Sequence, residues 1–261
     1  DKTITWQSAN PSIATVEQGV VTGVSAGTTT ITASSLDGEI TASCIVTVTC
    51  PHDYQTSFAQ ASQTDNGYFT ERCKKCGNIR QNRIIYAIDN TILSRKSVTY
   101  NGKVHMPSVI VQDSQGKYLT YNTDYTLSFT GDMRNVGKHS VHIKFKDNYK
   151  GSATRTFTIL PKSTTITKLK PKKKGFSVNW KKQSTQTTGY ELAYSTSSSF
   201  SKSKTNIVTL GRNKNKKTIA KLRKNKRYYV RIRTYKNITA NGQTAKLCSK
   251  WSKAKMIVTR R

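Results

Sequence analysis

The sequence predicts an all-β protein, a string of small β-sandwiches with one small insert between them. Three observations carry this. Period-two alternation runs through "TTTITAS", "CIVTVT", "SVHIKF", "TRTFTIL", "FSVNW" and "YYVRIR", so successive side chains fall on opposite faces of a strand. Turn residues interrupt it at short intervals, as in "ANPS", "SAG", "LDG", "YNGK", "SQGK" and "NVG". Helical periodicity is nearly absent. Short strands rich in Thr, Val and Tyr, with turns this frequent, suit sandwiches with thin cores.

The 261 residues suffice for two to four small domains, and 34% hydrophobic content supports several small cores better than one large one. No apolar run reaches the ~20 residues of a membrane-spanning helix. Asp1 is not a natural start, so a piece of a longer protein is expected. The charge is uneven. Residues 162–261 hold 28 Lys and Arg against a single acid, Glu191, out of 44 Lys and Arg and 13 acids in the chain. One module therefore carries most of the net charge of +31, and a polyanion is its natural partner.

Residues 1–49 form the first unit. The Trp-x-Ser strand at Trp6, the "NPSIATV" turn, the "GVVTGVSAGTTTIT" hairpin and the closing "CIVTV" strand resemble the bacterial Ig-like domain of group 2. The resemblance implies a β-sandwich with Ile13, Val16, Val21, Val24 and Ile31 in its core and Trp6 among them. Only "DKT" precedes "ITW", so the domain is expected to be truncated, with an exposed edge or with its missing strands upstream. Residues 87–161, with "YNGK", "PSVIVQDSQGK", "TDYT", "NVG" and "TFTI", are similar to the Ig-like repeat modules of Gram-positive surface proteins. Tyr125, Phe129, Val141, Ile143, Phe145, Phe157 and Ile159 are the core this implies. Residues 162–261 resemble a fibronectin type III domain: "GFSVNWKK" supplies the core Trp180, and "LRKNKRYY" supplies Leu222 and Tyr228 of a tyrosine corner. There the Tyr hydroxyl is expected to bond back to the preceding backbone.

Between the first two sandwiches lie residues 50–86, where Cys50, His52, Cys73 and Cys76 are spaced C-x-H and then C-x2-C, followed by Gly77. Four N and S donors in two pairs are what a closed tetrahedral Zn²⁺ site requires. The stretch also resembles small zinc-binding inserts of clostridial surface proteins. A segment of about 40 residues with few core candidates needs such a staple. Two other readings stand beside structural zinc. A redox-active Cys73–Cys76 disulfide would want a thioredoxin-like βαβ setting, and a structural disulfide from Cys50 would want an oxidising compartment. With all four positions taken by protein, catalysis at the metal is not expected. Cys44 reads as a small hydrophobe facing a core, and Cys248 as a lone thiol on a late strand.

Elsewhere no nucleophile elbow, phosphate loop or paired carboxylates stand out. His105, His139 and His142 read as surface polar residues, the last two on opposite faces of a strand. Trp251 in "SKWSKAK" is expected to lie partly exposed over Lys or Arg stems.

The resulting expectation is an all-β chain of tandem Ig-like and fibronectin type III sandwiches with a zinc-stabilised insert. It is not an enzyme but a spacer and attachment region of a secreted or cell-wall-associated Gram-positive protein. The expected partner of the basic domain is an anionic wall polymer or glycan. Nucleic acid is disfavoured, since there is no recognition helix and there are no RNA-motif aromatics. An accessory region of an extracellular glycoside hydrolase or peptidase is the runner-up, followed by an adhesin for a host protein or glycan.

Overall fold

The computed structural model describes residues 3–240 and 242–261. Apart from one 3₁₀ turn at Lys202–Lys204, the regular structure among them is β. The chain divides into two compact units, one reaching to Ile88 and taking in Asp147–Lys150, the other made of Asp89–Lys146 and Gly151–Arg261.

In the first unit β1 (Ile4–Ser8), β4 (Gly27–Ser35) and β5 (Thr41–Val48) form an antiparallel sheet in the order β1-β4-β5. Its register places Trp6 opposite Ala33, Ile31 opposite Cys44 and Thr29 opposite Val46. Most apolar residues thus share one face, together with the buried Thr29, and most threonines and serines the other, with Ile45 exposed among them. The hairpin β2 (Ala14–Glu17) and β3 (Val20–Gly23) covers one end of the apolar face. Three close approaches fit it there. A Cβ on Gly19 would lie 3.2 Å from the Trp6 ring, one on Gly23 3.0 Å from Val48, and one on Gly27 2.8 Å from Ile13. Ala14 and Ile31 are buried beneath it.

Among the described residues nothing covers the other end or the outer side of the hairpin, and several core expectations fail. Val21 and Val24 are exposed, Ile13 and Val16 are half-buried, Trp6 is 39% exposed and Cys44 lies open to solvent. Ile13 and Val24 lie off the strands, and for the others a face becomes a core only when another layer packs on it.

A second sheet in this unit is made of β6 (Tyr54–Ala59), β7 (Gly67–Cys73) and β8 (Ile79–Ile85). Its β6–β7 end is closed by Asp147–Lys150. The Ala61 N–H donates to Asn148 (3.0 Å), the Lys150 N–H donates to Ala61 (2.8 Å) and Gln60 Nε2 donates to the Asp147 carbonyl (2.8 Å). Gly67 allows this tight end, since a Cβ there would sit 2.2 Å from the Ala59 carbonyl oxygen.

The second unit holds two sandwiches. In the first, the sheet β10 (Ser97–Thr99), β14 (Ser152–Leu160), β13 (Gly137–Phe145), β12 (Tyr125–Thr130) faces the pair β11 (Val109–Asp113) and β9 (Ile88–Leu93). Val141, Ile143, Phe145, Phe157, Ile159 and Tyr125 are buried as expected, and Phe129 is half-buried. The Tyr125 hydroxyl donates to the Val109 carbonyl at 3.2 Å, tying the layers together. His142 and His139 do take opposite faces, but His139 is buried, in phase with Val141 and Ile143, and not at the surface. It packs on Gly131 and hydrogen-bonds through Nε2 to the Asn135 carbonyl at 3.0 Å.

The last sandwich sets β15 (Ile166–Lys172), β16 (Gly175–Trp180) and β19 (Lys216–Ile219) against a larger sheet. That sheet is β18 (Thr205–Gly211), β17 (Gly189–Ser195), β20 (Arg227–Ala240) and β21 (Gln243–Cys248), with β22 (Lys255–Val258) also on β20. Trp180 lies in the core as expected, its ring 5.4 Å from that of Tyr190, with Phe176, Leu192, Val230 and Ile232 around it. The tyrosine corner differs from expectation. Tyr228 is buried, but among the described residues its hydroxyl has no hydrogen-bond partner. The Tyr190 hydroxyl makes the backbone bonds instead, accepting from the Gln183 N–H (2.7 Å) and donating to the Gln183 carbonyl (2.9 Å).

Candidate metal centre

β5 ends at Val48, and Cys50 follows within two residues. β6 begins at Tyr54, so His52 lies just before that strand, and β7 ends on Cys73. Tyr54 pairs with Cys73 across the β6–β7 ladder, which brings the C-x-H segment beside the C-x2-C turn. The turn itself closes on Gly77, at φ +73, a left-handed conformation that costs glycine little. The Gly77 N–H donates to the Cys73 carbonyl (2.9 Å), and the Cys73 N–H donates to that of Asn78 (2.8 Å).

The ligand atoms of Cys50, His52, Cys73 and Cys76 all lie within 4.8 Å of one another, and the set can hold a metal ion. Cys50 Sγ and Cys73 Sγ are 3.8 Å apart, and Cys76 Sγ and His52 Nδ1 3.3 Å. With Zn–S at about 2.3 Å and Zn–N at about 2.0 Å, the edges of a tetrahedron are about 3.8 and 3.5 Å. All five cysteines of the chain are free thiols.

The electrostatics suit thiolate ligation. Burial works against ionisation of Cys73, but hydrogen bonding from His52 and from the backbone at Cys76, Asp53 and Lys75 brings its thiol down to about 5. Burial first, and then the neighbouring Cys76 and Cys73, push Cys50 up to about 12. One sulfur is thus held as thiolate, while the crowding of sulfurs resists further negative charge. A cation at their centre would relieve that repulsion.

Sequence reasoning picked out the four clustered residues but not their surroundings. The His52 ring packs 5.2 Å from Tyr54, Arg80 stacks over Tyr54 at 4.5 Å, and Arg80 pairs with Glu71 at 2.9 Å. The Tyr54 hydroxyl donates to Asn78 Oδ1 at 3.0 Å, fastening β6 to the knuckle. The alternation His52, Tyr54 was the available signal.

The basic domain shows a second arrangement that the sequence hid. Outward residues of β20 and its neighbours form a ladder. Arg231 lies between Phe200 (3.9 Å) and Trp251 (4.5 Å), and Arg233 stacks on Trp251 (4.3 Å). Arg233 also pairs with Glu191 (2.6 Å), as does Lys246 (2.9 Å), which in turn lies over Tyr235 (4.7 Å). Trp251 is half-buried over arginine stems, as expected. The domain's single acid is therefore sequestered. Burial raises the Glu191 carboxyl, but Lys246 and Arg233 outweigh it and hold the group below its ordinary range. Cys248 lies 4.0 Å from the same carboxylate.

Residues 1–46 match the family model for the bacterial Ig-like domain (group 2), and residues 160–247 that for the fibronectin type III domain. The chain is a string of Ig-like and fibronectin type III-like β-sandwiches. No curated protein matches it. Among solved structures, the chicken CNTN1 FN1-FN3 domains are 11% identical, with a TM-score of 0.31 over 90% of this chain and 78% of that one. Domains A168-A170 from titin are 10% identical, with a TM-score of 0.28 over 99% of this chain and 89% of that one. The two matched kinds of domain are typically non-catalytic, serve as spacers or attachment modules and are common in extracellular proteins. No helix among the described residues is long and apolar enough to cross a membrane.

Proposed function

We propose that this chain is a non-enzymatic spacer and attachment region of a secreted or cell-wall-associated bacterial protein. Its modules are residues 1–49, 50–86, 87–161 and 162–261, and the second is held by a structural zinc ion on Cys50, His52, Cys73 and Cys76. The basic last module contacts an anionic wall polymer or glycan.

The convergence of four protein ligands within 4.8 Å carries this reading. A four-coordinate ion held by four side chains has no position left for substrate, so its work is mechanical. Cys50 comes directly off the Ig-like sheet and Cys73 off β7, so the ion would clip one small sheet to the other. That favours a module whose task is to hold a fixed angle over one that turns over a substrate.

Metal analysis of the purified chain is the test. One zinc per chain is expected. Less than about half an equivalent, with a mass two hydrogens lower, would indicate a disulfide and overturn the zinc clip.

A further inference from the structure

The cations of the fibronectin-like domain are of two kinds. On the β18-β17-β20-β21 sheet, Arg231, Arg233 and Lys246 are matched by aromatic rings and by Glu191. On the outward face of β15-β16-β19 they are not. A β-bulge between Ile166 and Lys168 resets the phase of β15, so Ile166 and Leu169 both face the core while Lys168, Lys170 and Lys172 face outward. Across the sheet Lys168 aligns with Asn179 and then Lys216, and Lys170 with Ser177 and then Thr218. Lys214 and Lys217 border the groove that Ser177 and Asn179 floor. Among the described residues none of these lysines is in an ion pair, and neither the Ser177 hydroxyl nor the Asn179 amide has a protein hydrogen-bond partner.

We propose that this lysine-lined face is a binding surface for a linear phosphodiester polymer without bases, of the polyol-phosphate kind. The proposal deepens the attachment reading above and rests on it.

Three features select this ligand. Alternate residues of β15 set the lysines about 7 Å apart in a row, which a flexible chain charged in every repeat can follow. The cations are lysines, whose compact ammonium suits phosphate as a point charge, whereas paired carboxylate recognition favours the arginine fork, and the arginines of the ladder are on the other sheet. The face offers no aromatic ring on which a base or sugar could stack, since Phe176 and Trp180 of β16 point into the core. Unpaired like charges repel one another, and a bound polyanion would replace that repulsion with attraction while releasing its counterions. Ser177 and Asn179 supply neutral donors between the charged rows.

The experiment uses the full chain and two variants of equal net charge. One combines Lys168→Gln, Lys170→Gln, Lys172→Gln and Lys216→Gln. The other combines Lys202→Gln, Lys224→Gln, Lys250→Gln and Lys253→Gln, all exposed positions elsewhere in the domain. Binding is read against synthetic poly(glycerol phosphate), a polyuronate and duplex DNA over a salt series. The face variant is expected to bind poly(glycerol phosphate) about tenfold or more weakly, with a salt dependence shallower by roughly 0.7 for each phosphate it no longer neutralises, and the control variant to stay within about twofold of the parent. Equal weakening in both variants would mean diffuse charge and overturn the surface while leaving attachment intact. Equal or tighter binding of the parent to polyuronate or DNA would overturn the ligand. No binding of the parent to any of the three at low salt would overturn the attachment reading and, with it, this surface.

Discussion

The second unit buries Tyr190, Phe157 and Phe176 almost completely; in the first, among its described residues, the one large side chain buried to that degree is Ile31. Both are built of mainly antiparallel sheets joined by short turns. They differ in what lies over the apolar face. In the second unit a full second layer does, and aromatic residues fill the gap. In the first, a two-stranded hairpin covers part of one sheet, and the β6-β7-β8 sheet keeps Cys73 among its few buried side chains. Burial alone scarcely holds a sheet that small. On the zinc reading proposed above, Cys73, itself part of the core and joined through the ion to three residues from two segments, would provide the missing crosslink. On that reading, coordination and burial are alternative solutions to one problem, divided between the two units.

The largest test of this contrast is Cys73→Ser. It is expected to abolish hydrogen-exchange protection over β6, β7 and β8 and to leave the second unit's protection unchanged. Protected amides in β7 after the substitution would show that burial suffices there. Trp180→Ala reverses the experiment: it should cost the second unit about 3–5 kcal/mol by emptying the centre of its last sandwich, without touching metal content. An altered zinc stoichiometry in that variant would deny the division.

Glu191→Gln comes third, at about 1.5–3 kcal/mol, because it leaves Arg233 and Lys246 beside a buried neutral partner. The pH dependence carries the same sign. The folded carboxyl titrates below its unfolded value, so its stabilisation is complete above the ordinary glutamate range and is lost as pH falls through the lowered folded value. Thermal unfolding of the second unit across pH 5 to roughly 3, parent against Glu191→Gln, checks this. The two melting curves should converge on acidification.

Which side of most strands carries apolar residues was legible, and so was the Cys/His cluster, because C-x-H and C-x2-C are local spacings that survive without knowledge of the fold. What could not be read was whether a face would be covered. Cys44 and Val21 lie on the predicted faces and remain exposed. His139 shows the converse: its phase with Val141 was visible in the sequence, but its polarity outweighed the alternation. The Phe200–Arg231–Trp251–Arg233–Glu191 ladder joins residues up to 60 positions apart, and only the pairing of β17, β20 and the segment beyond β21 brings them together. The strap from Asp147–Lys150 onto Ala61 is likewise long-range pairing, made by backbone bonds and the Gln60 side chain.

On the zinc reading proposed above, metal ligation stands in for burial in the first unit. Scanning calorimetry of the zinc-loaded chain, before and after a strong chelator, tests it most directly. Two transitions are expected; the chelator lowers or removes that of the first unit and leaves that of the second in place, and added zinc restores the first. Two transitions that both ignore the chelator, in a chain shown to have lost its zinc, would contradict it.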